Sequence, residues 1–233
     1  MEPLSVNTFF QLGNFSKKEI FEGCSYGWEV LARLNGYLKA ADLGKIEVVI
    51  PEGAHLVNPE LISIGAGTIV EPGAYIRGPC IIGRECEVCH GAYIRGGVIT
   101  GDGCVIGHCT EVKSSLLLDE VKAGHFNYVG DSVLGNRVNL GAGAKLANFR
   151  FDRSEITILF EGQRLSTGLS KMGAIIGDDG QLGCNTVTSP GTLIGQGVIC
   201  MPNLNVRGVI PSRATVKSTQ KTVVEEYVDT NSQ

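Results

Sequence analysis

Large apolar residues recur every six positions along most of the chain. From Ile64 the step lands on Val70, Ile76, Ile82, Val88, Ile94, Thr100, Ile106, Val112 and Leu118, and only Thr100 is not a large apolar residue. After a slip of phase it resumes at Leu134, Leu140 and Leu146, and again at Ile176, Leu182, Thr188, Ile194, Cys200 and Val206. A helical stripe would recur at three and four, and a half-buried strand at two. A strict six marks a β-helix: one short strand and turn per six residues, three sides to a coil of eighteen, and the recurring side chain inward. Glycine often follows the recurring residue, as at Gly83, Gly141 and Gly183, which predicts tight turns there. About seven coils, ~4.8 Å apart, predict a prism ~35 Å long.

The pattern [Ile/Leu/Val]-Gly-x-x-x-x resembles that of the left-handed parallel β-helix of hexapeptide-repeat transferases, and the handedness is taken from this resemblance. The expected fold is therefore mainly β, a left-handed parallel β-helix with a short N-terminal helical segment. Residues 1–45 lack the repeat. Ser16-Lys-Lys-Glu19 fits a capping box, Trp28, Leu31, Ala32 and Leu38 fall at helical spacing, and Glu29 and Arg33 form an i,i+4 pair. This segment is expected to cap the N-terminal end of the prism, where a sheet edge would otherwise be open. The β-helix spans 46–211, beginning with an irregular coil that holds Pro51 and Pro59. A loop excursion at 149–173 interrupts it and reads as a hairpin over Glu155–Thr167. Residues 212–233 form a C-terminal tail.

Composition narrows the class. Glycine makes up 32 of 233 residues with no triplet period, and the apolar fraction of 43% excludes a disordered chain. A net charge of −4 with no long basic block argues against a nucleic-acid partner. No apolar run reaches the ~18 residues of a membrane span, and the first residues do not read as a secretory signal. The expectation is a cytoplasmic protein with reduced thiols.

Residues eighteen apart stack in one column of such a coil. Arg77, Arg95 and Lys113 do so, and like charges at strand spacing repel unless a bound anion, such as phosphate, offsets them. His90 and His108 form a second column, and His125 follows by seventeen. A zinc site, one working histidine among neighbours, and three solvated histidines all fit that spacing. Cys86-x-x-Cys89 and Cys104-x4-Cys109 have ligand-like spacing. However, Cys80, Cys86 and Cys104 all sit four after a position of the six-residue step, where a small side chain is wanted, so they read as structural thiols.

Lys122-Ala-Gly-His-Phe-Asn-Tyr-Val-Gly-Asp131, Val138-Asn-Leu-Gly-Ala-Gly143 and Asn148 together resemble a more specific motif set. It is that of the acetyltransferase domain of bifunctional sugar-1-phosphate nucleotidyltransferase/glucosamine-1-phosphate N-acetyltransferases. Asn148-Phe-Arg-Phe-Asp152 and Gly173-Ala-Ile-Ile-Gly-Asp178 are closest to the archaeal-type branch. The resemblance implies acetyl transfer from acetyl-CoA to the amine of an amino-sugar 1-phosphate, in a homotrimer with sites between subunits and no metal. It implies that His125 is the catalytic base and that Asn148 serves at the active-site loop. Arg95, Lys113, Tyr128 and Asn139 match sugar-phosphate contacts, while Ala142, Cys184, Met201 and Lys217 fall where the family touches coenzyme A. Phe149 replaces a tyrosine of the bacterial branch, Cys184 a serine, and Arg153 and Ser154 stand where lysines are usual. The 44 residues before the prism are too few for the nucleotidyltransferase domain, so uridylyl transfer is not expected. Two alternatives stay open: a γ-carbonic-anhydrase-like zinc enzyme, and an inactive trimer that binds sugar nucleotide or acyl-CoA.

Overall fold

Strands of two to four residues alternate with tight corners from His55 to Val216 in the computed structural model, which describes residues 3–219. Each turn of the chain adds one strand to each of three parallel sheets of eight strands. The faces are named here in chain order: the first begins with His55–Val57, the second with Ile62–Ile64 and the third with Ile69–Val70. Eight rungs exceed the expected seven. Pairing begins upstream of the six-residue period, with a parallel bridge of Ile46 to Ile64 and then the strand His55–Val57, and continues through Thr215–Val216, inside the segment set apart as a tail. The rest of that tail, from 220, lies outside the described residues. Among the described residues no helix is long and apolar enough to cross a membrane.

The register shows where the period slips. Successive rungs are eighteen residues apart at Tyr75, Tyr93 and Glu111, seventeen apart at Tyr128 and Lys145, and forty-two apart at Val187, beyond the excursion. The inward residue after Val112 is Leu117, paired with Thr100, and not Leu118. A second residue is lost before Leu134. Both losses fall at the corner between first and second faces, where Ser114 and Asp131 adopt φ of 45° and 47°.

The glycines after the inward residue serve close stacking rather than turning. Gly141 and Gly183 are outside the left-handed region, but a Cβ on either would lie 2.5 Å from the backbone nitrogen of Cys184 or Pro202, one rung on.

The second face is apolar on both sides. Ile81, Ile99, Leu116, Val133, Ile175, Leu193 and Val209 stand in register and point away from the core. Such doubly apolar strands need a cover. The N-terminal segment supplies it, packing Phe9, Phe10, Trp28, Leu34 and Leu38 with this column and with Ile156 and Ile158 of the excursion. The segment thus lies along the side of the prism and does not cap its end as expected. It holds the helix Val6–Phe9, a 3-10 turn at Lys18–Phe21 and the helix Glu29–Ala40. The expected capping box is not formed. Glu29 accepts hydrogen bonds from the backbone of Ser25 (2.7 Å) and Tyr26 (3.2 Å). Asp178, fully buried, ties the segment down by accepting from the Gln11 backbone at 2.8 Å and the Asn136 backbone at 2.8 Å. The excursion folds as an antiparallel hairpin of Thr157–Phe160 and Gln163–Ser166, turning at Glu161 and Gly162, both at positive φ.

Candidate active site

His125 ends the third-face strand Lys122–His125, and the chain turns at Phe126 (φ 52°) into the first-face strand Tyr128–Gly130. Asn127, 2% exposed, fixes this corner from inside. Its Oδ1 accepts from the His125 backbone (3.2 Å), its Nδ2 donates to the Gly141 carbonyl (2.8 Å), and its backbone N–H donates to Thr110 Oγ1 (3.2 Å). A buried carboxamide satisfied in this way locks the register of the rungs around it.

The histidine column is present. The rings of His90 and His108 stack 5.7 Å apart at 13°. His90 Nδ1 donates to the Pro72 carbonyl (2.8 Å) and His108 Nδ1 to the His90 carbonyl (2.9 Å), so each ring is tied to the rung before it. His125 pairs with His108 in register but its ring does not continue the pattern: the His108 carbonyl accepts from the Phe126 backbone at 2.9 Å and not from the His125 ring. The exposed His125 ring nitrogens meet no hydrogen-bond partner among the described residues. His125 lines a groove of about 600 Å³ with Lys122, His108, Asn139 and Ala142.

Beyond His125 the column continues through Ala142 and Cys184. The Gly143 N–H donates to the His125 carbonyl (2.9 Å), that of Asn185 to Ala142 (2.8 Å) and that of Asn203 to Cys184 (2.8 Å). The neighbouring column, set by the pairs Leu140–Leu182, Leu182–Cys200 and Cys200–Val216, runs through Gly141, Gly183, Met201 and Lys217. Ala142, Cys184, Met201 and Lys217 therefore lie along one prism edge that rises ~19 Å from His125.

The first face carries the cations, and two of the three are paired, while the exposed Arg77 forms no ion pair among the described residues. Arg95 donates to Glu111 at 2.6 Å, and Lys113 donates to Asp131 at 2.5 Å, with the side chains of the second pair 16% and 15% exposed. The repulsion between Arg95 and Lys113, expected to be offset by a bound anion, is thus met by carboxylates of the chain itself. Asn148 Nδ2 donates to the same Asp131 oxygen, and the Tyr128 hydroxyl reaches Asn148 Oδ1 at 3.5 Å. Arg95, Lys113, Tyr128 and Asn148 share this face. Asn139 does not, since it stands in register with Lys122 on the third face. The histidine groove and the cation–amide cluster are separate patches on adjoining faces, meeting at the Phe126 corner.

Glu111, Asn127 and Asp131 do not stand out by spacing: Asp131 follows Lys113 by eighteen, but the rung here is seventeen and the register pairs Lys113 with Gly130. The ligand-like cysteine spacings draw no metal cluster together: among the described residues no three His, Cys, Asp or Glu side chains gather as ligands of one ion. Cys80, Cys86, Cys104 and Cys200 are buried.

Residues 76–228 match the family described as the GMPPB C-terminal domain. The bifunctional sugar-1-phosphate nucleotidylyltransferase/acetyltransferase of Sulfurisphaera tokodaii is 45% identical over 85 residues, covering 36% of this chain and 21% of that protein. The bifunctional protein GlmU of Methanococcus vannielii is 30% identical over 117 residues, covering 50% of this chain and 28% of that one. The chain spans roughly a quarter of the length of these curated relatives. Among solved structures, the polySia specific acetyltransferase NeuO aligns with 78% of this chain and 93% of its own, at 13% identity and a TM-score of 0.38. The expected resemblance to bifunctional sugar-1-phosphate nucleotidyltransferase/acetyltransferases is met by these relatives, and with about two-thirds of its length matched the chain belongs to the GMPPB C-terminal domain family.

Proposed function

We propose that this chain transfers an acetyl group from acetyl-CoA to the amine of an amino-sugar 1-phosphate such as glucosamine 1-phosphate, at a site completed between copies of a homotrimer. The observation that carries this reading is the division of the polar residues into two patches. His125, Asn139 and the edge rising to Lys217 occupy the third face, while Arg95, Lys113, Tyr128 and Asn148 occupy the first. A closed ring of identical chains joined head to tail sets one patch against a different patch at every interface. Such a ring would bring the two half-sites together.

The residues present suit both substrates. Gly141, Ala142 and Gly183 keep the edge above His125 low, Met201 offers an exposed apolar side chain, and Lys217 gives a cation at the far end for an anionic group of the donor. Arg95 and Lys113 supply charge-assisted donors to the acceptor phosphate. The amine must be neutral to attack the thioester carbonyl. As the C–N bond forms, the unpartnered imidazole of His125 takes the amine proton. As the C–S bond breaks, that proton passes to the departing coenzyme A sulfur. Asn148, with one N–H already given to Asp131, has a second to direct at the oxyanion.

A thiol-release assay with acetyl-CoA over a panel of amino-sugar phosphates tests this. His125→Ala is expected to cut kcat by ~10²–10⁴-fold while sedimentation shows an unchanged trimer. An unchanged rate would remove the base, and a wild-type chain that releases no thiol with any acceptor would reject acetyl transfer.

A further inference from the structure

Asp131 has no assigned part in the reading above, on which this inference rests, yet three other segments converge on it. It follows the first-face strand Tyr128–Gly130 at a corner shortened by one residue, in the left-handed region at φ 47°. Its backbone N–H donates to the Lys113 carbonyl at 3.0 Å, and its carbonyl accepts from Gly173, where the excursion returns, at 2.8 Å. Its Oδ2 accepts from Lys113 at 2.5 Å and also from Asn148, the last residue before the excursion. The Met172 N–H closes the neck of the excursion by donating to the Asn148 carbonyl at 3.0 Å.

We propose that Asp131 is a positioning residue of the acceptor half-site: one carboxylate oxygen holds the Lys113 ammonium and the Asn148 carboxamide side by side. A lysine ammonium sits on a flexible four-carbon stem and is free to swing into solvent without a fixed partner. A carboxamide can present either its oxygen or its nitrogen. The shared carboxylate removes both freedoms. It also leaves the Asn148 oxygen toward Tyr128 and one Asn148 N–H for a ligand. Asp131 itself faces the amide and the ammonium, so it acts through them.

Asp131→Asn separates this role from a structural one. Asparagine tolerates the left-handed region at least as well as aspartate and preserves both backbone hydrogen bonds. It cannot accept from two donors at one charged oxygen. The acceptor kcat/KM should fall about tenfold or more, with KM raised through the loosened Lys113 and kcat lowered through the loosened Asn148, while the KM for acetyl-CoA stays within about twofold. Lys113→Ala should raise the acceptor KM similarly. Adding Asp131→Asn to Lys113→Ala should cost clearly less than Asp131→Asn costs in the wild type, because the Lys113 share of the effect is already gone and only the hold on Asn148 is left to lose. Equal losses for both substrates, or losses that multiply in the double variant, would overturn the proposal. Calorimetric titration of glucosamine 1-phosphate into the same four proteins separates the two readings. A wild type that binds the sugar without turnover rejects acetyl transfer, while the same coupling pattern in Kd still decides the part of Asp131. A wild type that binds no amino-sugar phosphate overturns both.

Discussion

Leu116 and Lys122 stand six residues apart, at equivalent places in successive repeats, and both point away from the core. Leu116 is fully buried beneath the N-terminal helices, whereas Lys122 is exposed and lines the groove of His125. The inward neighbours of the two, Leu117 and Ala123, belong to one continuous core. The core is therefore indifferent to where function is placed. What separates a covered face from a working edge is the outward residue alone. On the second face that residue is apolar rung after rung. On the third it runs Ile69, Glu87, Val105, Lys122, Asn139 and Gln181.

The strongest way to break this comparison is to empty the covered face. Leu116→Ala should cost about 2–5 kcal/mol, since the removed side chain sits between a packed strand and a packed helix. Denaturant unfolding would show it as a lower midpoint with an unchanged slope. Acceptor and donor KM should stay near wild type in the folded fraction. A loss below about 0.5 kcal/mol, the usual limit for surface substitutions, would mean that the helices merely rest on the second face.

A weaker effect distinguishes thiols of the core from thiols of the open edge. Burial pushes the Cys80 thiol up to about 12 and the Cys200 thiol up to about 11. In the unfolded chain both ionise near ~8.5. A raised folded value means that the protonated thiol is the form the fold accommodates. Stability is therefore full below ~8.5 and falls as pH rises toward the folded values of about 11 and about 12. Melting temperature should decline over that window, less steeply in Cys80→Ala. At pH 8, iodoacetamide should modify Cys109 and Cys184, which are exposed, and spare Cys80 and Cys200. Acetyl-CoA should protect Cys184 if the edge above His125 holds the donor. A flat pH response would show that the interior admits the thiolate.

The sequence made the inward half of this plan legible and the outward half only in part. A six-residue step needs nothing beyond side-chain direction, so the coil, the faces and the histidine column follow from counting. The doubly apolar runs Val98-Ile99, Leu116-Leu117-Leu118, Ile175-Ile176 and Leu193-Ile194 are visible too, and on the second face they follow one another without a break, whereas on the third such pairs, as at Ile69-Val70 and Val105-Ile106, are interrupted by Glu87, Lys122, Asn139 and Gln181. A count of every sixth residue sees one apolar residue in each run and misses the second, which is why the helices were expected on the end of the prism. The Lys113–Asp131 pair was harder to read, because it depends on a corner one residue short and on a left-handed aspartate. The separation of His125 from the cations was legible only as two different columns, without the distance between them. Column spacing gives the rung of a residue but not the side of a corner to which its ring turns.

The smallest predicted effect tests the other half of the comparison. Lys122→Ala should leave stability within about 0.5 kcal/mol, because the side chain is exposed and forms no ion pair among the described residues. Its effect should appear in the kinetics instead, as a raised KM for an anionic substrate with little change in kcat. Lys122 lines the same groove as His125 yet stands one strand length from the turn that carries the reacting imidazole. An ammonium at that distance attracts a charged ligand to the groove rather than a proton from the amine. The distinction is measurable with salt. Attraction by an exposed charge weakens as ionic strength rises, so wild type and Lys122→Ala should converge at high salt. The deficit of His125→Ala should persist. Were the Lys122→Ala deficit equally indifferent to salt, Lys122 would have to touch the reacting groups, and the working edge would extend along the whole of its strand.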